Sequence, residues 1–261
     1  MGFKFNNRHS RELGIGYTTE SMPITPSKRQ TEVTVQGRDG AYIFEDGYDN
    51  IQIQFSCSIL GESIVERRKR AREIASWLST TGTLIMDYEP DVEYKVIKVI
   101  NDIQSTILAK EYRDTFNIVF VCEPYQSQTY YNDNLTWEDI DSPWDGVFLP
   151  WNGYERKFAV NSETTLIITN AGTYKALPII ILDGVATSIQ IGSCSYTNLN
   201  GKVYIDCKNQ VVYSIVAGSK INKISNFTGS FIELLPGDNI FSISGINLNL
   251  TIEFDYKNVY L

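Results

Sequence analysis

Between residues 50 and 59 the chain alternates strictly, with Ile51, Ile53, Phe55, Cys57 and Ile59 separated by Gln52, Gln54, Ser56 and Ser58. A period of two over this length predicts an antiparallel strand with one buried and one wet face. Further strands are predicted at 94–100 and at 113–122, the latter with Phe116, Ile118 and Phe120 on one face. The 94–100 run reads as apolar on both faces, with Tyr94, Val96 and Ile100 on one and Ile97 and Val99 on the other. Such a strand needs cover on each side. Shorter strands are expected at 31–36 and 83–87. Gly37-Arg38-Asp39-Gly40 reads as a turn, since two close glycines free the backbone for positive φ.

One segment, 62–79, has helical periodicity. Ile64, Ala71, Ile74, Ala75 and Leu78 form its apolar stripe, Ser63 can cap its start and Gly82 lies just beyond its end. Trp77 and Leu78 should be buried against the N-terminal sheet. The opposite face carries Arg67, Arg68, Lys69, Arg70 and Arg72, tempered by Glu66 and Glu73. It reads as a solvated or subunit-facing surface rather than a nucleic-acid site, because the chain around it is acidic.

From 126 to 153 the pattern breaks. Trp137, Trp144 and Trp151 recur every seven residues among Asp133, Glu138, Asp139, Asp141 and Asp145, with Pro143 and Pro150 before two of them. The proline and the missing second apolar position exclude a coiled coil. The segment reads as a connector that packs on its neighbours. The sharper alternatives are a sugar-stacking platform on the three tryptophans, or a calcium loop, whose glycine and final glutamate positions are unmatched. Beyond 154, strands are expected at 164–169, 177–182, 187–191, 202–206, 211–216, 231–234, 239–242 and 247–256. Turns are expected at Asp183-Gly184, Asn200-Gly201 and Pro236-Gly237-Asp238-Asn239. Short strands at this spacing predict a β-sandwich. The chain is therefore read as mainly β: an α+β domain over 1–131, a connector over 132–153 and an all-β domain over 154–261.

Composition narrows the function. Among 261 residues, 23 Lys and Arg stand against 31 Asp and Glu, for a net charge of −8. That is a poor basis for binding phosphate backbones. The one histidine, His9, excludes multi-histidine metal sites, has no partner visible in sequence and reads as solvated. Cys57, Cys122, Cys194 and Cys207 form no C-x-x-C pair and read as small reduced hydrophobes. Apolar runs such as Ile179–Leu182 are far short of the ~20 residues of a membrane helix. The polar start, 1–11, shows no signal peptide, so synthesis in a cytoplasm is expected. No phosphate loop or nucleophile elbow is present. Asp87, Glu89, Asp91 and Glu93 could suggest a glycosidase pair, but they lie in a predicted turn, where acids are common. No catalytic residue, metal ligand or cofactor is assigned.

The order of several motifs is more specific than any one of them. Phe3-Lys4-Phe5-Asn6 with Ser10 and Gly14-Ile15 opens the chain, followed by Gly37-Arg38-Asp39-Gly40. Trp77-Leu78 then leads into Thr81-Gly82-Thr83-Leu84, Asp87-x-Glu89-Pro90-Asp91 and Tyr94-Lys95, and Cys122-Glu123-Pro124-Tyr125 follows. Asn170-Ala171-Gly172-Thr173, Pro178-Ile179-Ile180-Ile181 and Leu235-Pro236-Gly237-Asp238-Asn239 mark the second half. In this order they resemble the distal tail protein family of siphophages that infect Gram-positive bacteria. The resemblance implies a structural virion component without enzymatic activity. It implies a hexameric ring at the tail tip, built by the N-terminal domain, with a galectin-like C-terminal sandwich outside. The ring would join the tail-tube protein to a tail-associated lysin or baseplate protein and leave a channel for DNA. The alternative is a carbohydrate-binding protein for host cell-wall polysaccharide, using Trp137, Trp144 and Trp151.

Overall fold

The computed structural model describes residues 2–60, 63–100, 106–107, 113–129 and 156–261. The chain divides into two compact units, Met1–Thr129 and Tyr130–Tyr260.

The first unit contains β1 (Phe3–Phe5), β2 (Arg8–His9), β3 (Ile15–Ser21), β4 (Lys28–Thr34), β5 (Ala41–Tyr48), β6 (Ile51–Leu60), α1 (Ile64–Trp77), β7 (Gly82–Met86), β8 (Glu89–Val99), β9 (Thr106–Ile107) and β10 (Arg113–Gln128). Its main sheet runs β2-β1-β7-β8-β10-β6-β3, every neighbour antiparallel, with β9 also paired to β10. The alternation read from residues 50–59 sets its register. Ile51, Ile53, Phe55, Cys57 and Ile59 are all buried. Phe116, Ile118 and Phe120 on the neighbouring β10 are buried with them.

Helix α1 starts where expected, with the Ser63 side chain accepting from the Glu66 backbone N–H. Its buried set differs from the predicted stripe. Ile74, Trp77 and Leu78 are buried, but Ile64 and Ala75 are exposed and Arg67 is buried instead. The helix docks through its C-terminal end. The Trp77 ring stacks on Phe3 at 5.9 Å, and its Nε1–H donates to the Phe5 carbonyl at 3.0 Å. Strand β1 is held from two sides, because Asn6 in the β1–β2 turn donates to Thr80 Oγ1 and the Thr81 carbonyl and accepts from the Thr83 N–H. Asn6 and Asn7 take left-handed conformations there, as a two-residue hairpin turn requires.

Strand β8 corrects one expectation. Its register against β10 is interrupted between Val96 and Lys98, where the pairing passes from Cys122 to Val121. The irregularity shifts the side-chain phase. Tyr94, Val96 and Val99 therefore share the buried face, while Ile97 and Ile100 face outward and are exposed.

The second unit holds β11 (Lys157–Val160), β12 (Thr164–Asn170), β13 (Ile179–Ile191), β14 (Cys194–Asp206), β15 (Val211–Val216), β16 (Ser219–Asn222), β17 (Phe227–Gly229), β18 (Gly237–Ile246) and β19 (Asn249–Asp255). The long β13–β14 hairpin is shared by two arms of one curled antiparallel sheet. On one edge β13 pairs with β19 through residues 179–185 and with β18 through 188–191. On the far edge β14 pairs with β15 near its end and β17 near its start. The arms enclose a core of Ile180, Leu182, Ile189, Ile205, Ile252, Phe254 and their neighbours.

Two predicted turns prove to be strand interior. Gly184 pairs directly with Gly201 inside the β13–β14 ladder. The glycine is needed for close approach: a Cβ at Gly184, where φ is 143°, would lie 2.4 Å from the Asn249 carbonyl oxygen. The segment 231–234 contributes a single bridge, Ala176 to Leu234, rather than a strand.

Candidate assembly surface

Strands β4 and β5 form a separate two-stranded hairpin closed by Gly37 and Gly40, both at positive φ. No residue of it is buried. At its base Tyr48 meets Tyr125 of β10 edge-on at 6.0 Å. The register places Thr31 opposite Phe44 and Val33 opposite Tyr42, so one face carries Val33, Tyr42 and Phe44. Phe44 is 56% exposed. A two-stranded hairpin alone in water is marginal. Sequence reading found β4 and the turn but missed β5, whose Tyr-Ile-Phe cluster was the available signal.

On α1 the predicted basic face separates into parts. Arg67 Nε donates to Asp114 Oδ1 at 3.0 Å, with both side chains almost wholly buried. Arg70 pairs with Glu66 one turn back at 2.8 Å. Arg68, Lys69 and Arg72 remain on the exposed side. Between this helix and the sheet lies an open groove of about 590 Å³. Its apolar lining includes Ile59, Ala71, Ala75, Val99 and Phe116, and Arg68 and Arg72 border it.

The candidate chemical groups are occupied structurally. His9 Nδ1 accepts from the Arg11 N–H, and its Nε2 faces Asp87 Oδ1 at 2.8 Å, so it is partnered rather than merely solvated. In the acidic segment, β8 already begins at Glu89. Tyr88 donates to Glu20. Burial, then repulsion from Asp91, raises the Glu89 carboxyl above its ordinary range. All four cysteines are buried and free. Burial pushes Cys57, Cys122 and Cys194 up to about 12 and Cys207 up to about 11. Among the described residues no group of three or more His, Cys, Asp or Glu could hold a metal ion. No helix among them is long and apolar enough to cross a membrane. Trp137, Trp144 and Trp151 lie outside the described residues.

No curated protein matches the chain. Residues 13–122, which hold the hairpin, the helix and most of the first sheet, match the phage tail protein RIFT-related domain family. The N-terminal unit is thus similar to this phage tail protein domain. The fold of the whole chain is that of the SPP1 Dit (gp 19.1) protein, with a TM-score of 0.69 at 11% identity, covering 100% of this chain and 99% of that one. That protein is described as a paradigm of the hub adsorption apparatus in phages infecting Gram-positive bacteria. Chains from the activated baseplate of phage p2 are looser likenesses. The strontium form has a TM-score of 0.45 at 11% identity, covering 99% of this chain and 96% of that one. The calcium form has 0.43 at 10%, covering 100% and 98%. Within the first unit, the exposed hairpin and the helix-side groove are features suited to contact between proteins.

Proposed function

We propose that this chain is the distal tail protein of a siphophage infecting a Gram-positive bacterium. In this reading six copies form a ring at the tail tip, in place between the tail-tube protein and a tail-associated lysin or baseplate protein. The protein is made and assembled in the host cytoplasm, acts without catalysis, and leaves a channel for DNA.

The observation that carries this reading is that the tail-domain match and the full-length fold likeness coincide on one chain. Three physical features support it. The β4–β5 hairpin carries an apolar face that is exposed among the described residues. The main sheet of the first unit ends at β3, an edge on which a neighbouring copy can pair. The net charge of −8 keeps the protein from gripping DNA that passes through it.

The test is the particle mass of the purified full chain by light scattering, with negative-stain electron microscopy. A hexamer visible as a ring is expected. A monomer across micromolar concentrations overturns the reading.

A further inference from the structure

The second unit carries a sheet edge that its described residues leave open. The sheet runs β11-β19-β13-β14-β15-β16, and no strand lies beyond β16 among the described residues. The Lys223 N–H donates to the Val212 carbonyl at 2.8 Å. Hydrogen-bonded pairs in an antiparallel ladder recur at every second residue, so Ile221 bonds inward to Ser214 and Ser219 to Val216. Lys220 and Asn222 therefore turn their backbone N–H and C=O groups away from β15. The register puts Lys220 and Asn222 on one face with Ile215 and Tyr213, and Ile221 on the other with Ser214. Ile215 and Ile221 are both exposed. A strand arriving here meets backbone partners along the edge and an aliphatic side chain on each face.

The charge around this edge is opposite to that of the chain. Between Gly184 and Ile232 there are four lysines, Lys202, Lys208, Lys220 and Lys223, and one acid, Asp206, although the whole chain has a net charge of −8. Asp206 is buried and accepts from the Asn209 backbone and side chain at 2.9 and 2.8 Å. Lys202, Lys220 and Lys223 form no ion pair among the described residues.

We propose that β16 is a docking edge for an extended acidic segment of a different protein, which adds to the sheet as a further strand. In strand addition the main chain supplies affinity and alternate side chains supply specificity. A segment that alternates acidic and β-branched residues sets its acids beside Lys220 and its apolar side chains beside Ile221. Lysines on an edge oppose pairing with a like edge, which disfavours a second copy as the occupant. The aromatic side chains nearby are already engaged. Tyr204 and Tyr213 stack on each other at 5.1 Å, with Lys202 over the first ring at 5.6 Å and Lys220 over the second at 4.2 Å. That arrangement leaves little ring face for the stacking of nucleic-acid bases. The proposal goes beyond the ring reading and does not depend on it, since all its residues lie in the second unit.

The probe is a short fluorescent peptide of alternating Glu and Val, titrated with the full-length chain and followed by anisotropy. It should bind about ten-fold more tightly than a matching peptide of alternating Lys and Val. It should also bind several-fold more tightly than the same Glu and Val peptide N-methylated throughout, which keeps its charge but lacks the donors for strand addition. K220E/K223E should reverse the preference between the acidic and basic peptides. No binding of the acidic peptide at hundreds of micromolar protein overturns the proposal. Equal binding of the N-methylated peptide means charge attraction without strand addition and also overturns it. Binding unchanged in K220E/K223E puts the site elsewhere and does the same. Duplex DNA binding at physiological salt that K220E/K223E abolishes reassigns the lysines, and self-association of the full chain that I221E abolishes makes a second copy the occupant; either overturns the proposal. The ring reading is judged on the particle mass of the wild-type chain without peptide, so the two can fail separately.

Discussion

Arg67 and Asp114 face each other across 3.0 Å with only 3% and 1% of their side-chain surfaces exposed. The pair ties the N-terminal turn of α1 to β10. Removing one partner strands the other charge in a low-dielectric site, at a cost of about 3–5 kcal/mol. Arg67→Met should lower stability in urea unfolding by that order. The paired change R67M/D114L should recover most of the loss, since well-packed apolar replacements of buried ion pairs are often neutral.

Trp77 is the second anchor of the helix. Its ring stacks on Phe3 and meets Phe5 edge-on at 5.7 Å, while its Nε1–H satisfies the Phe5 carbonyl. Trp77→Ala should cost about 3–5 kcal/mol through the cavity and the lost transfer energy. Trp77→Phe keeps an aromatic ring but leaves the buried carbonyl without its donor, at about 1–3 kcal/mol. Thermal melting that ranks wild type above W77F above W77A is expected. An unchanged midpoint in W77A would show that the helix does not depend on this contact.

What could be read from the sequence follows from how local each signal is. The alternation from Ile51 to Ile59 is strictly periodic, so the strand, its buried face and its burial all followed. The helix, its Ser63 cap and its Trp77 anchor were equally local. Arg67 was misassigned because a charge reads as surface until its partner is known, and Asp114 is 47 residues away. Gly184 read as a turn because glycine signals both turns and close backbone approach, and only the position of Asn249 distinguishes them. In β8 the irregularity between Val96 and Lys98 exchanged the faces of Val99 and Ile100, since a one-residue shift exchanges the faces of a strand. The candidate surface was half legible: the basic helix face was visible, but the groove beside it arises only when α1, β8 and β10 come together.

The cysteines tie stability to alkaline pH. An unfolded thiol loses its proton near an ordinary value of 9, whereas folding holds Cys57, Cys122 and Cys194 protonated to about 12 and Cys207 to about 11. A raised folded value means this contribution is complete below pH 9 and is lost as pH climbs toward 11–12. Each thiol weakens the fold by up to about 1.4 kcal/mol per pH unit in that window. Tyr88 and Tyr94, also raised chiefly by burial, act in the same direction at still higher pH. Urea midpoints should fall steeply between pH 9 and 11. A thiol reagent at pH 8 should label the folded chain slowly and all four cysteines quickly in denaturant. Fast labelling of the native protein would contradict the burial on which this rests.

The halves should differ in what they do alone. Each unit has a core of its own: Phe3, Phe55, Phe120 and Trp77 anchor one, and Ile180, Ile205, Ile252 and Phe254 the other. Fragments 1–131 and 150–261 are therefore expected to fold separately, each unfolding with a cooperative transition. The N-terminal fragment keeps the uncovered hairpin, the groove beside α1 and the outward Ile97 and Ile100. It should self-associate, because the described residues of one copy leave these apolar surfaces exposed. The C-terminal fragment also shows exposed aliphatics, including Ile167, Val216, Ile240 and Ile246. Ile167 and Ile240 stand directly opposite each other on β12 and β18, while Val216 and Ile246 lie apart on β15 and β18, and single or paired surface hydrophobics need no partner. It should remain a monomer by light scattering at tens of micromolar protein. An N-terminal fragment that stays monomeric beside an oligomeric C-terminal one would reverse this division of labour and remove the hairpin from assembly.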